Sequence, residues 1–359
     1  MLIDDYLNMT KKIPLSVKLL GFAAFIYLAG LMSATFAWMF VQKWLATPLA
    51  ISEQGYRYEL KPGQSLGHLA YALGNDQVIQ YPRLLRLYAR ATDLNKVHAG
   101  EYFFPQGTTP RTLLEKLSKG DVVLYQVTFV EGWTYKQALS ALAKIDAVKQ
   151  LLPGKSEQEQ IELLDIPVTQ LEGWIFPDTY SFSRNTSDVE IVQGAYQKML
   201  SLLSAEWEKR PPNLPYKSSY EALIMASIIE RETGHHSERD QIAGVFVRRL
   251  QQGMKLQTDP TVIYGMGDRY QGRIRRADLQ EATDYNTYVI QGLPPTPIAL
   301  PSAASIRAAL NPAAGKALYF VAKGDGTSEF SETLAQHNEA VRRYQLNRRS
   351  DYRAAPPTK

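Results

Sequence analysis

The feature that most constrains this sequence is a long apolar run near its N-terminus. Residues 19–42 carry no charged side chain, and residues 19–41 are almost wholly apolar. Roughly 20 helical residues span the hydrocarbon core of a bilayer, so the run is long enough to cross a membrane. Three lysines precede it within residues 1–18, and Lys43 alone follows closely. Because positive charge favours the cytoplasmic side, we expect residues 1–18 in the cytoplasm, residues 19–41 in the membrane and the rest outside.

Two other interpretations of the apolar run stay open. A cleaved signal peptide has an apolar core of about 7–15 residues, which is shorter than this run. A buried helix of a soluble core is the second alternative, although an uncharged run of this length is unusual there. We expect a retained anchor, with Trp38 and Trp44 near the far membrane interface and residues 43–56 as a short stalk.

Composition limits the classes of function that remain. With 359 residues, the chain is long enough for two domains, and 45% hydrophobic residues rule out a wholly disordered chain. Lys and Arg number 40 against 36 Asp and Glu, and the net charge of +4 is too small to argue for nucleic acid as the main partner. The chain has no cysteine, which excludes disulfides, thiolate metal sites and a cysteine nucleophile.

Hydrophobic periodicity and turn signals indicate an α+β protein of several parts. Strand and helix patterns alternate in a small module at residues 55–130. Residues 134–145 predict a helix, and residues 146–170 are polar and interrupted by proline with one short helix, so we expect residues 131–170 to be a connecting region. Residues 171–345 predict a larger domain of helices and strands, and residues 346–359 predict a disordered tail. Typical helix boundaries are Ser65, Thr109-Pro110, Gly120, Gly234 and a capping box from Ser237 to Asp240.

The most informative segment for chemistry places two carboxylates, Glu230 and Glu232, near the end of an otherwise apolar predicted helix. Glu232 continues a stripe formed by Ala222, Met225 and Ile229, whereas Glu230 lies about 160° round the helix. Partial desolvation raises the pKa of a carboxyl, which is the property that a general acid needs near neutral pH. An ordinary amphipathic helix whose acidic residues face water is the alternative.

A second polar cluster follows downstream, in a turn-rich segment at residues 256–265. Amides, hydroxyls and aromatic rings around one acid are typical of a carbohydrate cleft, and turn or core residues are the plainer interpretation. His235 and His236 lack the H-E-x-x-H spacing, so we expect no metal site. The sequence has no G-x-S-x-G motif, no P-loop and no dinucleotide fingerprint, so we expect no cofactor.

Several motifs occur in a specific order along the chain. They are Glu172-Gly-Trp-Ile-Phe-Pro-Asp178, Ala226-Ser-Ile-Ile-Glu-Arg-Glu232, Ser237-Glu-Arg-Asp240, Leu256-Gln-Thr-Asp-Pro-Thr-Val-Ile-Tyr-Gly265, Tyr285-Asn-Thr-Tyr288 and Gly292-Leu-Pro-Pro295. Together they closely resemble the MltG (YceG-like) endolytic murein transglycosylases. The resemblance covers about residues 55–345, in addition to the N-terminal anchor.

This resemblance implies an enzyme of the bacterial inner membrane, with a cytoplasmic N-terminus and a periplasmic catalytic domain. It implies cleavage of the β-1,4 bond between N-acetylmuramic acid and N-acetylglucosamine within nascent glycan strands. The cleavage leaves 1,6-anhydro ends and limits strand elongation. The family's catalytic acid falls on Glu232. From the motifs and sugar chemistry, we expect substrate contacts from Ser227, Gln257, Thr258, Asp259, Tyr264 and Asn286.

The resemblance also implies a LysM-like glycan-binding module, because residues 58–66 are similar to the opening of such a module. The implied partners are peptidoglycan strands and, by analogy, penicillin-binding proteins and the elongation machinery. A membrane-anchored glycan-binding scaffold without catalytic activity is the alternative from another class. Hydrolysis with water is a further alternative.

Overall fold

The structure is a computed structural model that describes residues 15–233 and 236–346. The expectations for residues 1–14, for Gly234 as a helix end, for His235 and for the tail beyond residue 346 lie outside the described residues. The chain divides into two units, the first ending at Val123 and the second beginning at Leu124. Both units mix helices with paired strands, which confirms the expected α+β class.

The apolar run forms one long helix, α1 (Leu15–Ala46). Its large apolar side chains are exposed from Leu15 to Phe40, with Trp38 61% exposed. Among the described residues, α1 is the one helix that is long and apolar enough to cross a membrane. A helix whose apolar side chains face outward without protein cover is consistent with a single-pass anchor.

The predicted stalk at residues 43–56 is wrong. α1 continues to Ala46, and Trp44 and Leu45 are buried in the core of the first unit. Leu49 and Ile51 follow them into the same core, so this stretch packs against protein and does not act as a spacer. Trp44 is therefore a core residue and not an interfacial one. The sequence pattern missed this because tryptophan suits a protein core as well as a membrane interface.

The first unit is built around one antiparallel strand pair. Its elements are β1 (Tyr56–Leu60), α2 (Leu66–Asn75), α3 (Pro82–Ala91), β2 (Gly100–Phe104) and α4 (Pro110–Lys119). β1 and β2 run antiparallel with Tyr56 opposite Phe104 and Leu60 opposite Gly100. Leu69, Leu85, Leu113 and Tyr102 are fully buried, so all three short helices pack into one core with the strand pair.

Local signals set the helix boundaries of this unit as predicted. The Ser65 side chain accepts a hydrogen bond from the backbone of Gly67, and the Thr109 side chain accepts one from Thr112. Each bond satisfies a backbone N–H that has no partner within the helix. Gly120 ends α4 in the left-handed region at φ 66°, where a residue with a Cβ is strained.

The first half of the second unit surrounds its own core. Its elements are β3 (Leu124–Thr128), α5 (Tyr135–Leu142), α6 (Glu157–Leu164), β4 (Thr179–Ser183) and α7 (Asp188–Glu208). β3, which the sequence groups with the small module, pairs antiparallel with β4. The predicted connecting region at residues 131–170 contributes α5 and α6, whose Ala138, Leu142 and Leu164 are buried in this core.

The second half of this unit encloses α8 (Ser219–Glu232). The surrounding elements are α9 (Arg239–Gln251), α10 (Asp259–Met266), α11 (Ala303–Leu310), β5 (Tyr319–Ala322), β6 (Ser328–Ser331) and α12 (Leu334–Val341). β5 and β6 form an antiparallel hairpin. α8 packs against α7, α9, α10 and α11, which makes it the central helix of this core.

Two local predictions in this half are wrong. The predicted turn-rich segment at residues 256–265 contains α10, with Pro260 in its first turn. The predicted capping box at Ser237 does not start α9, because a single 3₁₀ turn covers His236–Glu238 and the N-cap position is Glu238. In both places, contacts with other elements set the helix start, and the residue pattern alone does not show them.

A buried carboxylate joins residues 151–152 to the start of α7. Asp188 is 1% exposed and accepts hydrogen bonds from the backbone of Leu151, Leu152 and Val189 at 2.9–3.0 Å. These donors lie in the interior, where an unpaired N–H costs free energy. Asp188 therefore provides the polar contact that fixes the residues 149–152 loop on α7.

We expect Asp188→Asn to lower the free energy of unfolding by about 1–3 kcal/mol, because the amide nitrogen cannot accept from these N–H groups. Guanidinium unfolding of the purified chain, followed by tryptophan fluorescence, measures the loss. Glu190→Gln is the matched control, since Glu190 is exposed in the same first turn. Equal stabilities for the two variants would contradict the assigned role of Asp188.

Candidate active site

The site is built at the end of a helix that is buried on every side. Eight consecutive residues of α8, from Ala222 to Ile229, are buried. The stripe of Ala222, Met225 and Ile229 is therefore in the core as predicted, but the opposite side of α8 is buried as well. A helix that is apolar all round belongs in the centre of a core. Polar side chains at its last turn are consequently placed at the edge of the hydrophobic interior.

Glu230 has a structural role at this edge. Its Oε2 accepts hydrogen bonds from the Ser302 backbone N–H at 2.9 Å and from the Ser302 hydroxyl at 2.5 Å. Arg239 lies 3.7 Å from the other carboxylate oxygen, and both side chains are less than 10% exposed. Ser302 is the N-cap of α11. Glu230 therefore ties the start of α11 and the start of α9 to the end of α8.

Glu232 is the last residue of α8 and points to different surroundings. The Thr258 hydroxyl donates a short hydrogen bond to its Oε1. The side chain is half-buried and lines a cavity of about 710 Å³. Glu230 and Glu232 differ by two positions, so helix geometry sends them to nearly opposite sides. One carboxylate is enclosed by fixed partners, and the other meets an open cavity.

Burial raises the pKa of Glu232 to about 7, because desolvation disfavours the anion. The hydrogen bond from Thr258 lowers this pKa, the nearby negative charge of Asp259 raises it and Arg231 lowers it. The C-terminal end of α8 also carries partial negative charge, which acts in the same direction as burial. Glu232 is thus poised to hold and release a proton near neutral pH.

A network of threonines fixes the group that contacts Glu232. Thr258 is 2% exposed, and its backbone N–H donates to the Thr287 hydroxyl at 3.0 Å. The Thr261 hydroxyl donates to the Thr258 carbonyl at 2.8 Å. Thr258 is the N-cap residue of α10, but its hydroxyl bonds Glu232 and not the helix backbone. The Thr258 hydroxyl therefore contacts the Glu232 carboxyl and makes no capping hydrogen bond to α10.

Gln257 precedes this threonine in an unusual conformation. Its φ is 52°, in the left-handed region that residues with a Cβ rarely adopt. The Gln257 backbone N–H donates to the Thr287 carbonyl at 3.1 Å, which holds the turn in place. Backbone strain of this kind concentrates at functional sites, where it orients neighbouring groups. Here it brings both Gln257 and Asp259 to the cavity wall.

The structure brings together four of the seven predicted site residues. Glu232, Gln257 and Asp259 line the cavity, and Thr258 contacts Glu232 from behind. Ser227, Tyr264 and Asn286 lie elsewhere in the second unit. Substrate contact by these residues stays a prediction.

Ser227 and Asn286 are committed to protein contacts. The Ser227 hydroxyl donates to the Ile224 carbonyl at 2.7 Å and accepts from the Ile298 backbone at 3.0 Å. Asn286 is 1% exposed, and its amide nitrogen donates to the carbonyls of Asp278 and Glu281. The Asn286 oxygen accepts from the backbone two residues later at 3.0 Å. Both side chains organise loops beside the site.

Tyr264 contacts a second buried carboxyl. Its hydroxyl donates to Glu172 at 3.2 Å, and the Tyr135 backbone N–H donates to the other oxygen at 2.9 Å. Burial raises the pKa of Glu172 to about 7. The adjoining Gly173 has φ 81° and packs where a Cβ would collide with Pro297. Glu172 and Gly173 of the first motif therefore pack this part of the second unit together.

The cavity has walls that sequence reasoning missed. Tyr288 donates to Asp259 at 2.7 Å, and Arg249 reaches the cavity while bonding the carbonyls of Leu256 and Leu318 at 2.7 Å. The far wall comes from the β5–β6 hairpin and α12, with Tyr319, Ser328, His337 and Asn338. Tyr288 belongs to the motif Tyr285-Asn-Thr-Tyr288, but the sequence does not show that Tyr288 lines the cavity and Asn286 does not. The wall on α12 has no local signature at all.

Comparisons with known proteins agree with the ordered motifs. The profile of the YceG-like family matches residues 58–343. An endolytic murein transglycosylase of Bacillus subtilis is 32% identical over 300 residues, which cover 79% of this chain and 82% of that protein. One from Streptococcus pneumoniae strain R6 is 25% identical over 356 residues, 89% of this chain but 64% of that longer protein.

A solved structure is also similar. The crystal structure of a YceG-like protein from Listeria monocytogenes is 28% identical, with a TM-score of 0.49, and the match covers 80% of this chain and 99% of that one. The family profile spans both units, from β1 to the π-helical turn after α12. The chain belongs to the YceG-like family.

Proposed function

We propose that this chain is a membrane-anchored endolytic murein transglycosylase and that Glu232 is its catalytic acid and base. The Bacillus and streptococcal relatives are endolytic murein transglycosylases by name, which supports the reaction class. The observation that carries the residue assignment is the surroundings of Glu232. A carboxyl with a pKa of about 7 opens into a cavity of about 710 Å³ and has one oxygen bonded by Thr258.

The proposed reaction cleaves the β-1,4 bond between N-acetylmuramic acid and N-acetylglucosamine without water. Glu232 donates its proton to the glycosidic oxygen as the bond to the muramic acid C1 breaks. Positive charge then develops at C1, in an oxocarbenium-like centre. The Glu232 carboxylate next takes the proton from the C6 hydroxyl as that oxygen bonds C1. The enzyme regains its proton, and the strand ends in 1,6-anhydro-N-acetylmuramic acid.

The two carboxyl oxygens of Glu232 have different contacts, and we propose a different role for each. Thr258 donates to Oε1, so Oε2 is the oxygen that carries the exchangeable proton toward the cavity. Asp259 adds negative charge on the same wall, where it stabilises the developing oxocarbenium charge. Gln257 supplies an amide for sugar hydroxyls. The proposed cleavage needs a single catalytic carboxyl group. This fits the site, because Glu230 is hydrogen-bonded to Ser302 and paired with Arg239, which leaves Glu232 for the reaction.

The length and apolar surface of α1 support a membrane-anchored location for this chemistry. We propose that residues before α1 are cytoplasmic and that both units lie in the periplasm, where nascent glycan strands are found. Glycan strands are then the substrate, and cleavage within them limits their elongation. The first unit is proposed to bind glycan as a LysM-like module, and penicillin-binding proteins of the elongation machinery are proposed neighbours.

We expect Glu232→Gln to lower the rate of anhydro-product release from murein by roughly 10²–10⁴-fold, because an amide cannot donate and recover the proton. Mass spectrometry of the fragments measures both rate and reaction type, since hydrolysis products are heavier by one water. Glu208→Gln is the matched control: Glu208 is the last residue of α7 as Glu232 is of α8, but it is exposed.

The same experiment separates the proposal from its alternatives. A wild-type chain that binds murein and releases no fragments would make it a scaffold. Fragments released equally by wild type and Glu232→Gln would remove Glu232 from the chemistry. Reducing ends in place of anhydro ends would establish hydrolysis.

The pH dependence of activity tests the contacts of Glu232, because two substitutions should shift it in opposite directions. Activity requires protonated Glu232, so kcat/KM falls as pH rises through about 7. Asp259→Asn removes a charge that raises the Glu232 pKa, so the falling limb moves to lower pH. Thr258→Val removes a hydrogen bond that lowers this pKa, so the limb moves to higher pH. Limbs that shift in the same direction would contradict the assigned contacts.

Glu230 provides the contrast in stability. Glu230→Gln breaks a buried ion pair with Arg239, and we expect a loss of about 3–5 kcal/mol in the free energy of unfolding. Glu232→Gln breaks no ion pair and keeps wild-type stability or exceeds it. Guanidinium unfolding of both variants measures the difference. A Glu230→Gln chain with full stability and no activity would reverse the two roles.

A further inference from the structure

The outward side of α3 combines apolar and cationic residues. Leu85 and Ala89 on its inner side are fully buried. On its outer side, Leu87 is 63% exposed and Leu84 is partly exposed. Helical spacing places two arginines on the same side as these leucines, and we refer to the four residues as the α3 face, namely Arg83, Leu84, Leu87 and Arg90.

The α3 face adjoins the lipid-facing surface of α1. The Phe40 ring, 52% exposed near the end of the apolar run, meets the Tyr81 ring edge-on at 5.9 Å. Phe40, Tyr81, Leu84 and Leu87 line one shallow concavity of about 380 Å³. Two residues after Phe40, Gln42 accepts a hydrogen bond from Arg111 at 2.8 Å. A polar contact thus follows the apolar surface of α1 within two residues of Phe40.

We propose that the α3 face lies on the membrane that α1 crosses, in the leaflet where the C-terminal end of α1 emerges. Leu87 and the exposed part of Leu84, whose remainder packs against the core of the first unit, enter the acyl boundary beside Phe40. Arg83 and Arg90 bind anionic lipid headgroups. Within the described residues, no carboxylate pairs with these arginines. Arginines next to apolar residues on one helix face are typical of interfacial helices. This proposal depends on α1 crossing the membrane and not on the catalytic activity.

Fluorescence quenching by lipid tests the proposal directly. The chain has no cysteine, so Leu87→Cys gives one labelling site on the full-length protein. The chain carries an NBD label and is placed in nanodiscs of phosphatidylglycerol and phosphatidylethanolamine that contain a headgroup-proximal nitroxide lipid. Phe36→Cys, on the exposed surface of α1, reports membrane insertion. Lys61→Cys is the solvent control. Lys61 is exposed and directly follows the last residue of β1, whereas Tyr56 is the first residue of that strand.

We expect the labels at positions 87 and 36 to lose most of their emission, whereas the label at 61 keeps it. Replacing Arg83 and Arg90 by Gln should restore much of the emission at 87 and leave position 36 quenched. A quenched label at 36 with equal emission at 87 and 61 would overturn the proposal. An unquenched label at 36 would overturn it as well. A label at 87 shielded from aqueous iodide but unaffected by nitroxide lipid would identify a protein partner instead.

Discussion

The candidate site depends on the cost of bringing a carboxyl to the end of a fully buried helix. α8 has no water-facing side between Ala222 and Ile229, and its last turn reaches the solvent through exposed Arg231 and reaches the cavity through Glu232. A carboxylate there has lost much of its hydration, and protonation near pH 7 is the cheapest way to remove the unsolvated charge. Thr258, Asp259 and Arg231 then adjust a pKa that burial has already set.

The two glutamates at this helix end show how surroundings decide the role of identical side chains. Glu230 accepts two hydrogen bonds and pairs with Arg239, so its charge is compensated by groups that cannot move away. Glu232 has one hydroxyl donor and an open cavity. Fixed compensation suits a structural anchor, because Glu230 holds the starts of α9 and α11 against the end of α8. Incomplete compensation suits a group that must give up a proton and recover it.

The features that the sequence predicts correctly involve residues close together in the chain. Helix caps at Ser65 and Thr109 involve residues two or three positions apart, and the stripe leading to Glu232 spans three helical turns. The cavity wall on α12 and the pairing of β3 with β4 join segments far apart in the chain, so no local pattern reports them. The loop position of Asn286 is hidden for a related reason, since an amide suits a hydrogen bond within a loop as well as one to a sugar.

The anchor shows the same ambiguity in apolar residues. Hydropathy records that a side chain avoids water, but lipid and protein core satisfy that requirement equally. α1 uses both, because its exposed residues up to Phe40 suit lipid while Trp44 and Leu45 are buried in the first unit. An unbroken helix shared by the membrane and a folded core cannot swivel as a flexible linker would. With α1 in the membrane as proposed, packing around Trp44 fixes the orientation of the first unit and gives α3 a defined height relative to the lipid.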